Sequence, residues 1–192
     1  MNVSRERLKR LSLIFFCLLL LDTVTKSFTH YHIPLMDWSV PSYPYGGIAV
    51  FKQMLGIDLS INHVVNRGGP WGVISSHHNF LLGLRMIAIF CIGIHLLYFN
   101  TISFRQIPLT MIISGAVGNV IDSFFYGHVV DMIHFVFWGY SFPVFNVADS
   151  CIFLGVISMM IHACVKKIKE KRAAASSNGS GPRSDFHFPM SQ

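Results

Sequence analysis

Asn119, Asp122, Asp131, Asn146 and Asp149 lie within GAVGNVIDSFFYGHVVDMIHFVFWGYSFPVFNVADS, a stretch that is otherwise largely apolar. An ionisable group in or beside hydrocarbon costs several kcal/mol unless it is paired, so three acids here point to a site more than to packing. Two carboxylates a few Å apart in low dielectric do not both ionise readily. One proton is shared and the two apparent pKa values separate. Such a pair offers an ionised base to activate water and a protonated acid to polarise a carbonyl, the chemistry of the aspartic proteases, with no metal and no covalent nucleophile. Asp131 and Asp149 are the candidates for that pair. Asp149 has a competing explanation, since Asn146, Asp149 or Ser150 could each cap the helix that follows. In the first turn of that helix its charged form is favoured, which makes Asp149 the candidate base.

The elements that must position these groups follow from the apolar runs. The chain is 192 residues long, 52% hydrophobic and only 12% charged, with a mean hydropathy of +0.51. Soluble proteins carry about 25% charged residues, so this is an integral membrane protein. Its net charge of +6 comes largely from Arg5 to Arg10 and Lys166 to Arg172, both beside apolar runs. That is a cytoplasmic flank, not a nucleic-acid surface. Four spans are expected: Leu8 to Phe28, Phe80 to Phe99, a third from Pro108, and a fourth from Asn146 to about Val165. The opening MNVSRERLKR–LSLIFFCLLLL has the look of a secretory signal, but it runs on into Asp22, Thr23, Val24, Thr25 and Lys26 and reads as a retained helix. Pro108 falls in the first turn of the third helix, where its missing N–H costs nothing.

An even number of spans with basic clusters at both ends puts both termini in the cytoplasm, and Asp131 with Asp149 on the extracytoplasmic side. Residues 1–165 form one membrane domain, with an extracytoplasmic insert at about 30–77 and an outer loop at about 126–147 rich in Phe, Trp and Tyr. Within the insert, IAVFKQMLGIDLSINHVV reads as short strands. The fold class is therefore a membrane all-α four-helix bundle with a small extracytoplasmic β subdomain, followed by a basic, disordered tail at 166–192.

Other polar groups fall near the same level. Asp22 and Lys26 stand at i and i+4, where they either neutralise each other and snorkel or help shape the outer site. Asn66 either holds the turn NRGGPWG or points its carboxamide at a ligand. Ser114 and Gly118 form a small-xxx-small step that admits a neighbouring helix. Arg85, one turn into the second span, is costly unless it faces a partner or reaches the headgroups, and snorkelling is the default reading. Cys17, Cys91, Cys151 and Cys164 read as small core residues, and the ten histidines are scattered, with His77-His78 read as an interfacial pair. No metal ligand set is assigned.

LDTVTK (Leu21 to Lys26), NRGGPWG (Asn66 to Gly72), GNVID (Gly118 to Asp122), VVD (Val129 to Asp131) and FNVADS (Phe145 to Ser150) resemble, in order, the five motif regions of lipoprotein signal peptidase, also called signal peptidase II. The resemblance runs from about Leu11 to Val165. It implies an aspartic endopeptidase of the bacterial cytoplasmic (inner) membrane that removes signal peptides from diacylglyceryl-modified prolipoproteins, cutting N-terminal to the lipidated cysteine. It makes Asp131 and Asp149 the dyad, and Asn119, Asp122 and Asn146 its supports. Asp22, Lys26 and Asn66 fall on pocket or substrate positions. Prolipoproteins and membrane lipids are the implied partners, with no nucleic acid, no cofactor and a monomeric enzyme. Two positions depart from the family pattern: Ser123 stands where an Arg usually follows the GN-x-x-D acid, and Gly69-Pro70-Trp71 replaces the usual Ala-Ala-Phe. The rival reading, a small proton- or ion-coupled transporter subunit, needs polar groups spread through the membrane depth; here the acids gather at one end.

Overall fold

The structure is a computed structural model that describes residues 4–37, 39–40, 42–67, 78–100 and 102–178. Four helices are long and apolar enough to cross a membrane: α1 (Arg5–His32), α2 (His78–Ile94), α3 (Ser103–Phe125) and α4 (Val147–Asn178). A π-turn, His95–Phe99, extends the second span. More than half of the apolar window of α3 is buried, against 6% for that of α2, so α3 is the central helix and α2 the peripheral one. Large side chains such as Phe16, Leu20, Phe90 and Phe153 face outward. This inside-out surface is what a bilayer solvates. Cys17, Cys91 and Cys164 also lie on it, and only Cys151 is buried; three of the four expected core cysteines are therefore surface residues, small apolar groups that hydrocarbon accepts as readily as a core does.

The spans differ from their expected limits at the ends. α1 starts at Arg5, where the Ser4 hydroxyl accepts the Arg7 N–H at 3.2 Å. α3 starts at Ser103, so Pro108 sits inside the helix and not in its first turn. Ser103 to Gln106, polar except for Phe104, form its opening turn, which hydropathy alone reads as loop. α4 runs on through Asn178, so the first part of the expected disordered tail is helical. The expected turn at Gly68 to Trp71, and His77, lie outside the described residues.

Close helix contact is arranged by small residues. A Cβ on Gly115 would strike the Ala148 carbonyl, and one on Gly118 would strike the Asp22 carboxylate. The Ser114 hydroxyl donates to the Phe15 carbonyl of α1 at 3.0 Å. The Ser114/Gly118 step thus brings α1 and α4 against α3, as expected of such a motif.

The β subdomain is larger than its sequence pattern implies. β1 (Ile48–Met54), β2 (Ile57–Asn66), β3 (Val129–Phe137) and β4 (Tyr140–Ser141) form one antiparallel sheet in that order. β3 belongs to the region expected as an outer loop, and it pairs with β2 from Ile57↔Phe137 to Asn66↔Val129. Its first four residues, Val129, Val130, Asp131 and Met132, are all buried and alternation sets in only after them, so the period-two signal is missing where Asp131 lies. The chain then doubles back: Met132 and Ile133 both donate to the Phe145 carbonyl, at 3.0 and 2.7 Å. That return sets Asn146 and the start of α4 beside Asp131.

Candidate active site

The first turn of α4 is built by a reciprocal cap. The Asn146 side chain accepts the Asp149 N–H at 2.8 Å, and the Asp149 carboxylate accepts the Asn146 N–H at 3.4 Å. This is a capping box with Asn and Asp in the two roles. The Ala148 N–H, a further donor of that turn, goes to the Asp22 carboxylate of α1 at 2.7 Å. Two anions therefore meet the positive end of α4. Capping and membership of the polar site are not alternatives for Asp149: one carboxylate oxygen closes the box, while the other accepts the Asn119 carboxamide at 2.9 Å.

Asp131 enters from β3 and is buried. One of its oxygens accepts Asn146 Nδ2 at 2.7 Å and the other accepts Asn66 Nδ2 at 2.9 Å. Asn66 pairs with Val129, two positions from Asp131, so both side chains fall on one face of the sheet as diagonal neighbours. The carboxamide of Asn66 thus reaches an acid. Asn146 touches both acids, its side chain donating to Asp131 and its main chain to Asp149. Burial, reinforced by the nearby Asp149 charge and opposed by the Asn66 and Asn146 hydrogen bonds, pushes the Asp131 carboxyl up to about 7. It therefore holds a proton through the acid half of the physiological range.

Behind this pair lies a buried ionic cluster. Lys26 is 0% exposed, and its ammonium meets Asp22 at 2.8 Å, Asp122 at 3.0 Å and the Asn119 side-chain oxygen at 2.8 Å. Three acceptors match the three donors of an ammonium. Asp22 and Lys26 are thus packed inward, and neither snorkels. Asp122 also accepts the Val130 N–H at 3.1 Å, tying the end of α3 to the start of β3. Asn119 links the cluster to Asp149, and its oxygen accepts Asn146 Nδ2 at 3.2 Å as well. All eight residues nominated from sequence, Asp22, Lys26, Asn66, Asn119, Asp122, Asp131, Asn146 and Asp149, fall into one connected network.

The network borders a cleft of about 700 Å³ between α2 and α4. Its walls are mainly apolar, with Val129, Phe142, Phe145, Phe153 and Leu154, while Asn66, Asn119, Asp149 and Arg85 converge on it. Arg85 is the member that the sequence does not single out as a site residue, since snorkelling is its default reading. Its place one turn into an apolar helix fits snorkelling equally well, and only the packing of α2 against α3 aims it at the cleft. At Ser123, where the resemblance leads one to expect Arg, the hydroxyl donates to the Asn119 carbonyl at 2.9 Å and carries no charge.

Spanning helices and the sheet thus gather acids and carboxamides, Asp131 buried and Asp149 half-buried, beside an apolar cleft, and define a membrane protein with a polar site. The family model described as signal peptidase (SPase) II matches residues 14–165. The lipoprotein signal peptidase of Clostridium tetani (strain Massachusetts / E88) is 34% identical over 146 residues, which is 74% of this chain and 85% of that protein. Two solved structures, described as bacterial membrane enzymes determined by the in meso method at 2.3 and 1.9 Å, give TM-scores of 0.68 and 0.65 with 25% and 28% identity. The first covers 94% of this chain and 95% of its own, the second 81% and 92%. The chain belongs to the signal peptidase II family, a multi-pass membrane enzyme of the aspartic type that acts on lipoproteins.

Proposed function

We propose that Asp131 and Asp149 are the catalytic pair and that the enzyme cuts a diacylglyceryl-modified prolipoprotein on the N-terminal side of its lipidated cysteine, at the extracytoplasmic face of the cytoplasmic membrane. The observation that carries this reading is that one residue, Asn146, donates to both carboxylates beside an apolar cleft. Asp149, held by Asn119 and by the N-terminus of α4, acts as base toward water. Asp131, protonated below about pH 7, donates to the scissile carbonyl as water adds; when the resulting diol collapses, Asp149 passes the proton it took from water to the leaving amine and Asp131 recovers its own from the diol. The acyl chains and the signal helix occupy the cleft between α2 and α4, which a substrate confined to the bilayer reaches by lateral diffusion. Confinement supplies part of the positioning. Both termini lie in the cytoplasm, and the enzyme works as a monomer.

The test is cleavage by purified protein of a lipobox peptide with and without its diacylglyceryl group, with the products identified by mass. Release of a peptide whose new N-terminus is the lipidated cysteine, and at least tenfold slower cutting of the unlipidated peptide, supports the reading. Cutting elsewhere, or indifference to the lipid, defeats it.

On this reading Arg85 is the cation that the cleft itself offers, in a chain that has Ser123 where the family pattern has Arg. Arg85→Gln is expected to raise KM for the lipopeptide roughly tenfold, about 1.4 kcal/mol, with a smaller change in kcat, because the side chain lies in the cleft wall and outside the network that holds the acids. A fall in kcat alone would place Arg85 in the chemistry instead.

A further inference from the structure

His30, in the last turn of α1, His63, on β2, and His128, just before β3, come together where the helices meet the sheet. One ring nitrogen from each lies within 4.8 Å of one from each of the others. Three buried ring nitrogens in this group have no hydrogen-bond partner: His30 Nδ1, His63 Nε2 and His128 Nε2. Leaving such groups unsatisfied is costly, so three at one point require an explanation. His63 is already set for one. Its Nδ1 lies 3.0 Å from the Ile33 carbonyl, which makes Nδ1 the protonated nitrogen and leaves the Nε2 lone pair directed away from that bond. Metal-bound imidazoles are commonly held this way, by a carbonyl on the nitrogen that does not bind the ion.

We propose that His30, His63 and His128 form a site for one divalent transition-metal ion of the Zn²⁺ type, which staples the end of α1 to the β2–β3 sheet. Three imidazoles at about 2.0–2.1 Å in tetrahedral geometry stand about 3.3 Å apart, so closure needs side-chain shifts of about an ångström, and His30 and His128 lie at the ends of elements. Hard ions such as Mg²⁺ and Ca²⁺ prefer oxygen donors and are excluded by an all-nitrogen set. The three imidazoles leave a fourth tetrahedral position open. Tyr126 stacks on His30 with ring centroids 4.3 Å apart and limits its rotation. The ion takes no part in hydrolysis. It fixes the entry to β3, three residues before Asp131.

The experiment uses the full-length protein without a histidine tag, stripped with chelator and titrated with Zn²⁺ and Co²⁺. One ion should bind per chain, the thermal midpoint should rise by several degrees, and bound Co²⁺ should give the strong visible bands of a four-coordinate site. His30→Gln and His128→Gln should each weaken binding at least about 100-fold and abolish the rise, with metal-free midpoints near that of the unaltered protein. His128→Cys should retain Co²⁺ and gain a thiolate-to-cobalt charge-transfer band, an outcome that a merely structural histidine does not produce. Sub-stoichiometric binding, binding indifferent to the His substitutions, or a cysteine variant without that band would overturn the assignment.

Discussion

Asp131→Asn and Asp149→Asn are each expected to lower lipopeptide turnover at least about 10³-fold, roughly 4 kcal/mol of transition-state stabilisation, in protein that still folds. The size follows from the shared proton. Each acid does half of an acid–base exchange, and an amide can neither take a proton from water nor give one to a carbonyl. The two positions separate on pH. Activity should fall as pH rises through about 7, where Asp131 loses its proton. The same group makes a stability prediction whose sign can be worked out. Its folded value lies above its unfolded value of about 3.9, so between about pH 4 and 7 the native state holds a proton that the unfolded state has released. Stability therefore declines as pH climbs through that window, by a few kcal/mol at most. Asp131→Asn removes the dependence: its thermal midpoint relative to the unaltered protein should be lowest near pH 4 and highest near pH 8. An unchanged slope in the variant would assign the pH dependence to another group and remove the proton from Asp131.

The parts of this site that sequence could reveal are those fixed by local spacing. Asp22 and Lys26 at i, i+4, and Gly115, Asn119 and Asp122 at i, i+4, i+7, each mark one helix face, and both faces are buried. The competition between capping and chemistry at Asp149 was also legible, because any Asn-x-x-Asp at a helix start permits a box; that both hold at once was not, since the second carboxylate oxygen depends on Asn119 from another helix. Asp131 was visible as an acid but not as a strand residue. The strand it occupies is buried on both faces at that point, and its partner lies more than sixty residues earlier. Arg85 and the three histidines carry no local signal at all: what they face is set by which elements pack together, and no short-range pattern encodes that.

Lys26→Met tests whether the ionic cluster supports the acids or merely fills space. The ammonium is the one cation in contact with Asp22 and Asp122 among the described residues, and all three side chains are buried. Removing one member of such a group leaves uncompensated charge in a medium that solvates it poorly, at a cost of about 3–5 kcal/mol. The thermal midpoint should drop by on the order of 10 °C. Turnover should fall as well, because the Asn119 oxygen loses the shorter of its two donors, keeping only Asn146 at 3.2 Å, and the same carboxamide orients Asp149. Neutralising one acid at the same time, as in Lys26→Met with Asp122→Asn, should recover part of the stability, and the shortfall from additivity measures the coupling between the two positions. Recovery of the fold without recovery of turnover would show that Lys26 positions Asn119 as well as balancing charge. If Lys26→Met alone costs less than about 1 kcal/mol, water reaches Asp22 and Asp122, and the buried cluster is not what holds α1, α3 and α4 around the site.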